Sequence, residues 1–212
     1  MEIKKNEYNC WNLFISIFWN FINFCYYCFV IFIGVLIMKI LLLLGDSGTG
    51  KTSISKALFI NYNYFYLIKS YTTRFKRNLY DNDHIFIRKN NLLYKMFHDK
   101  VVASTIINNE LYCSFEEQFK KDRICIYTVD DKGFLDVVNY FGIDNVCAIR
   151  LKRNNINVNK ERGERNLNQI IPDSCSNLHI VENNTTINDC CLNIISILRE
   201  KWPSFFDDFY SA

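Results

Sequence analysis

Ile40-Leu41-Leu42-Leu43-Leu44-Gly45-Asp46-Ser47-Gly48-Thr49-Gly50-Lys51-Thr52 decides the reading of this 212-residue chain. An unbroken aliphatic run describes a strand buried on both faces, as in a parallel sheet. Next come a glycine, four residues and then Gly-Lys-Thr, the pattern of a phosphate-binding loop. Ser53 to Ile60 continue as a helix, so the loop has the strand before it and the helix after it that the pattern needs. Glycines let successive backbone N–H groups wrap an anion, and the helix N-terminus adds a favourable dipole. The stretch therefore predicts a nucleoside triphosphate site built from Gly45, Asp46, Ser47, Gly48, Thr49, Gly50, Lys51, Thr52 and Ser53. Lys51 is expected to reach the β- and γ-phosphates, and the Thr52 hydroxyl to ligate the Mg²⁺ that accompanies ATP.

Half of the residues are apolar and aromatics are abundant, enough for a sizeable core. A formal charge of +3 is too small to imply nucleic acid, and none is expected as a partner. The nine cysteines form no disulfide framework, and an ATP-using chain works in a reducing compartment, so they read as thiols in a cytoplasmic protein. Cys25 and Cys28 have CxxC spacing without a second ligand pair, and the three histidines make no metal pattern. Nothing in the sequence sets the oligomeric state.

Residues 1–37 form a hydrophobic N-terminal segment. Trp11 through Met38 runs for 28 positions without a charge, long enough to cross a bilayer. Two readings stay open: a membrane anchor with the adjoining domain facing the cytoplasm, or a mis-assigned start. Met38-Lys39-Ile40-Leu41 reads as the natural beginning of a kinase, and the strand normally central in the sheet comes directly after the segment with no linker. Any membrane contact is expected only through residues 11–38.

Beyond the loop helix comes Ser70-Tyr71-Thr72-Thr73-Arg74-Phe75-Lys76-Arg77. Two arginines on one loop suit a phosphate, because guanidinium forks bind its oxygens bidentately. With the phosphate loop behind it, this segment resembles the Ser-x-Thr-Thr-Arg-x-x-Arg signature of guanylate kinase and its relatives among the nucleoside monophosphate kinases. The likeness continues. Asp83-His84-Ile85-Phe86 is similar to the family's Asp-Tyr-His-Phe, with His84 where a phosphate-binding tyrosine is usual. Tyr80 falls where a glutamate is usual. Glu110-Leu111-Tyr112-Cys113-Ser114 resembles Asn-Tyr-Tyr-Gly-Thr, and Ile124 to Gly133 resembles the strand ending Asp-x-Asp-x-Gln-Gly, with Asp130 as its second aspartate and Thr128 replacing the first. Counting back from Tyr112, Ala103 stands where the family's guanine-reading glutamate belongs.

In the last third, Val146 to Leu151 reads as a buried strand. It leads into a basic stretch in which Arg153, Arg162 and Arg165 are either lid arginines or a solvated helix face. Leu178 to Asn184 resembles the family's last sheet strand. Ile187, Cys190, Cys191, Ile194, Ile195 and Leu198 recur at helical spacing, which makes those cysteines core.

The resemblance implies an α/β fold, a P-loop three-layer parallel sheet over residues 38–202. It also implies an acceptor-binding insertion at about 71–113 and a lid at about 152–175, while the aromatic tail at 203–212 stays unassigned, either packed back on the domain or a mark of loose composition. The implied activity is ATP-dependent phosphorylation of a nucleoside monophosphate, GMP or dGMP most simply. Lys51, Arg153, Arg162 and Arg165 would be catalytic, Ser70, Arg74, Arg77, Tyr112 and Asp130 would hold the acceptor, and Thr52 and Asp130 would serve Mg²⁺. A same-fold kinase for another nucleotide or a phosphorylated sugar, and a non-catalytic binding module, are the alternatives.

Overall fold

A computed structural model describes residues 38–154, 171–173, 175 and 177–210. The expectations for residues 1–37, for Arg162 and Arg165 and for most of the lid therefore lie outside the described residues. Among the described residues the central sheet has five strands in the order β2-β7-β1-β8-β9, and every neighbouring pair is parallel. These strands are β1 (Lys39–Leu44), β2 (Phe65–Leu67), β7 (Ile124–Thr128), β8 (Val146–Lys152) and β9 (Leu178–Glu182).

β1 lies at the centre because it can. Successive side chains in a strand point to opposite faces, and Ile40 to Leu44 supplies aliphatic groups to both. Leu41 and Leu43 pack with Ile54 and Leu58 of helix α1 (Lys51–Asn61) and with Cys190, Ile194 and Leu198 of helix α4 (Ile187–Lys201). Ile40, Leu42 and Leu44 pack on the other side with Phe134 and Val137 of helix α3 (Asp131–Phe141). Each such aliphatic side chain contributes roughly 1.5–3 kcal/mol when fully buried, and all five of these residues are 0% exposed. The result is the expected α/β three-layer parallel arrangement, with crossover helices joining strands that no hairpin can join.

A second, four-stranded sheet has the order β4-β3-β6-β5 and is built from residues 71–115. Its strands are β3 (Tyr71–Thr72), β4 (Ile85–Phe86), β5 (Val101–Ile107) and β6 (Glu110–Phe115). The β5–β6 hairpin turns through Asn108 and Asn109, whose φ angles of 51° and 61° are the positive values a two-residue type I′ turn requires. One face of this sheet packs through Cys113 and Phe115 on Leu92 of helix α2 (Lys89–His98). On the other face Ala103 stands across from Ser114 and Thr105 across from Tyr112.

The aromatic segment beyond residue 202 is a helix, α5 (Pro203–Tyr210), with Pro203 at its first position, where a missing N–H costs nothing. Phe206 is buried against Tyr64, ring centroids 5.3 Å apart, so this segment completes the core. Cys113, Cys125, Cys147, Cys175, Cys190 and Cys191 are free thiols. Among the described residues, no helix is long and apolar enough to cross a membrane.

Candidate functional site

The loop between β1 and α1 closes over its own backbone. Gly45, Gly48 and Gly50 have φ of 126°, 91° and 98°, conformations that L side chains rarely adopt. Space forbids a side chain as well. A Cβ on Gly45 would lie 2.4 Å from the Leu151 carbonyl oxygen, and one on Gly50 would lie 2.3 Å from Asn183 Nδ2. Thr49 donates from Oγ1 to the Asp46 carbonyl at 2.9 Å, and buried Asn183 donates to the Thr49 carbonyl at 2.8 Å. Lys51 Nζ donates to the carbonyls of Gly45 and Asp46 at 2.6 and 2.7 Å. Its ammonium is thereby held over the loop where an anion would sit.

A cleft of about 730 Å³ starts at this loop and continues to the second sheet. Gly45, Ser47, Gly48, Gly50, Lys51, Thr52 and Ser53 line one end, and Ser70, Arg77, His84, Ala103, Tyr112 and Asp130 line the other. Arg153 is also on its wall. Most of the residues named for donor, acceptor and metal thus share one cavity, although they span more than a hundred positions of chain.

Asp46 and Thr49 are not on its wall, and neither is Arg74. Its Nη1 donates to the Asp81 carboxylate at 3.0 Å and to the Phe75 carbonyl at 2.7 Å, and its guanidinium lies 5.2 Å from the Phe86 ring centre. It is not on the cleft wall, and its Nε and Nη2 are buried without a hydrogen-bond partner among the described residues. The two threonines before it shape the loop. Thr72 Oγ1 accepts from the Arg74 N–H at 3.2 Å, while Thr73 Oγ1 donates to Glu110 and accepts from the Leu111 N–H. Asp81, which sequence reasoning missed, ties both arginines together by accepting also from the Arg77 N–H at 3.0 Å. Burial pushes the Asp81 carboxyl up, but the Arg77 N–H and the Arg74 guanidinium outweigh it and hold the group below its ordinary value.

A solved structure of guanylate kinase from Anaplasma phagocytophilum is similar, with a TM-score of 0.58 over 78% of this chain and 87% of that chain, at 18% identity. The chain has a guanylate kinase-like fold. No protein-family model matches the sequence, and no curated protein does. At this identity the likeness is one of fold alone, and the chemistry has to be argued from the residues.

The wall beyond Tyr112 has no carboxylate at residue 103. Ala103 is 3% exposed and packs with Val102, Phe119 and Tyr127. The phenol of Tyr127 fills this side of the cleft, and Ser70 Oγ donates to it at 3.4 Å. Asp130 lines the cleft, but its Oδ1 accepts from the Gly133 N–H at 2.7 Å and its Oδ2 from Thr105 Oγ1 at 2.8 Å. It caps α3 and ties that helix to β5. The described residues contain no group of three or more His, Cys, Asp or Glu side chains able to hold a metal.

Arg150, in sequence the start of a basic cluster expected to serve phosphate, is instead buried and donates to Asp131 at 2.9 Å, to Asp173 at 2.6 Å and to the Ile171 carbonyl at 2.9 Å. It fixes residues 171–173 against the start of α3. No local pattern announces such a clamp, because its partners lie 19 and 23 residues away.

Proposed function

We propose that this chain transfers the γ-phosphoryl group of ATP to a nucleoside monophosphate, GMP or dGMP most simply, giving ADP and the nucleoside diphosphate. The observation that carries the reading is the single cleft joining the phosphate loop to Arg77 and Tyr112. A donor phosphate chain on the loop and an acceptor phosphate at Arg77 would face each other across it. Residues 71–113 would form the acceptor-binding part and 152–175 the lid, in a protein working in the cytoplasm.

Phosphoryl transfer is mainly positioning and neutralisation of charge. Lys51, now bonded to two loop carbonyls, would exchange these for phosphate oxygens of ATP. Arg74, Arg77 and Tyr112 would grip the acceptor phosphate, Ser70 and Asp130 would face its base, and Arg153, with Arg162 and Arg165, would cover the transferring group. The attacking oxygen belongs to a phosphate with a second pKa of about 6, already anionic near neutral pH, so no general base is needed.

Magnesium brought in with ATP supplies charge neutralisation. The donors fit it: a hard cation of this kind takes few protein oxygens and completes its shell with phosphates and water. Thr52, exposed on the cleft, is the residue to hold it, while the oxygens of Asp130 are already engaged.

Ala103 favours a second reading, a kinase of this fold for another nucleotide or a phosphorylated sugar. A turnover screen of the full chain with ATP–Mg²⁺ against ribo- and deoxyribonucleoside monophosphates separates the two. If Arg74→Ala then leaves turnover and acceptor affinity unchanged, the acceptor assignment is wrong.

A further inference from the structure

Three buried side-chain nitrogens, Arg74 Nε, Arg74 Nη2 and His84 Nδ1, lack a hydrogen-bond partner among the described residues. Buried polar groups are normally paired, so each orphan asks for an explanation. Arg74 and His84 are near enough to interact electrostatically. Arg74 and His84 both lie against the Phe86 ring, the His84 ring centre 6.2 Å from it and 5.3 Å from that of Tyr112, and His84 lines the cleft. Two of these orphans are cationic N–H donors, and the third becomes a donor when the imidazole takes a proton. Three donors with no acceptor describe an anion site.

We propose that His84 binds the acceptor's phosphate together with Arg74 and takes up a proton as it does so, making acceptor binding proton-coupled. This rests on the nucleotide-kinase reading for the identity of the acceptor, but the anion site stands on the orphaned atoms alone. A phosphate would reach the shielded nitrogens with the His84 ring displaced toward the cleft that it lines.

The charges around the ring set the direction of the coupling. Arg74 and Arg77 oppose a proton on His84, Asp81 and Asp83 favour one, Lys56 is paired to Asp83 at 2.7 Å, and Tyr112 packs edge-on. Burial first, then Arg74, pushes the imidazole down to about 4, so it is neutral near pH 7. A phosphate dianion seated between the two side chains neutralises the Arg74 field and accepts from both. The proton comes from solvent, moves onto Nδ1 and stays shared with a phosphate oxygen. No covalent bond changes. By linkage, each pH unit by which the ligand raises the imidazole pKa corresponds to about tenfold tighter binding by the protonated form.

The test monitors the His84 imidazole by NMR through a pH titration of the full chain, alone, in saturating inorganic phosphate, and with GMP. Phosphate should raise the midpoint from about 4 to near neutrality or above, about three pH units or 1,000-fold in proton affinity. His84→Gln should make GMP affinity independent of pH between about 7 and 8, the range above the second pKa of a phosphate monoester, where the affinity of the parent chain should fall as pH rises. A midpoint unmoved by phosphate and by GMP overturns the proposal, whatever the turnover assay shows. A midpoint moved by phosphate but not by GMP keeps the His84 site and counts against the nucleotide acceptor.

Discussion

The side-chain amide of Asn183 donates to the Thr49 carbonyl at 2.8 Å, so the residue just past the end of β9 braces the glycine-rich loop 134 positions earlier. The same amide occupies the space a side chain at residue 50 would need. Asn183 is buried, its own N–H donates to the Lys152 carbonyl, and it therefore fixes the loop against two strands at once.

Asn183→Ala should loosen this brace and leave the Thr49 carbonyl buried without its partner. The expected cost is about 1–3 kcal/mol, the penalty for an unsatisfied buried group. ATP affinity should fall roughly tenfold or more, while acceptor affinity stays near the parent value, as equilibrium binding of each nucleotide would show.

Lys51→Met should separate folding from turnover. The ammonium makes two bonds to loop carbonyls at the mouth of the cleft, away from the apolar core. Thermal unfolding should therefore shift little, whereas kcat should drop by roughly 10²–10³-fold, as when a pre-organised charge is taken from a developing anion. A variant that unfolds early instead would assign Lys51 a structural role.

Asp81→Asn tests the loop that presents both arginines. The Asp81 carboxyl is held below its ordinary value in the folded chain, so its contribution to stability is fully present above the unfolded value of 3.8 and is lost as pH falls through the lower folded value. The asparagine variant should lose that part of the acid dependence. Its acceptor KM should rise roughly tenfold to a hundredfold, the range for losing a hydrogen bond to a charged group, with a smaller change in kcat. Unfolding curves at several acidic pH values and steady-state kinetics check the two halves.

Base selectivity should be weak. On the proposed reading the base faces the methyl group of Ala103 and the phenol of Tyr127, with no carboxylate at residue 103 to reward the amino group of guanine. GMP and IMP should therefore be used with kcat/KM values within about tenfold of each other, since strong discrimination needs a buried polar group left unpaired by the wrong substrate. A steady-state comparison showing a preference of about a thousandfold would mean that another group reads the base.

The strand–loop–helix unit from Ile40 to Ile60 was legible because its strand, glycines and helix are contiguous, and Ile40 to Leu44 announced a strand buried on both faces. The helical spacing of Cys190, Ile194 and Leu198 likewise foretold the face that α4 buries. Strands β3 and β4 are two residues each, too short to show alternation, so only the Thr-Thr-Arg resemblance marked that region. Asn183, Asp81 and the Arg150 clamp were not legible, because a polar side chain that serves a distant carbonyl or guanidinium leaves no periodic trace. The aromatic stretch after residue 202 concealed a helix for a similar reason: Phe206 is defined by its pocket beside Tyr64, not by its neighbours in sequence.

The most direct measurement is ³¹P NMR of the full chain with ATP, Mg²⁺ and GMP. The account predicts that the γ-phosphorus signal of ATP declines while the β-phosphorus signals of GDP and ADP grow in equal amounts, with no inorganic phosphate. ATP that binds but stays intact, or that releases inorganic phosphate without forming GDP or any other diphosphate when the acceptor is varied, would contradict it.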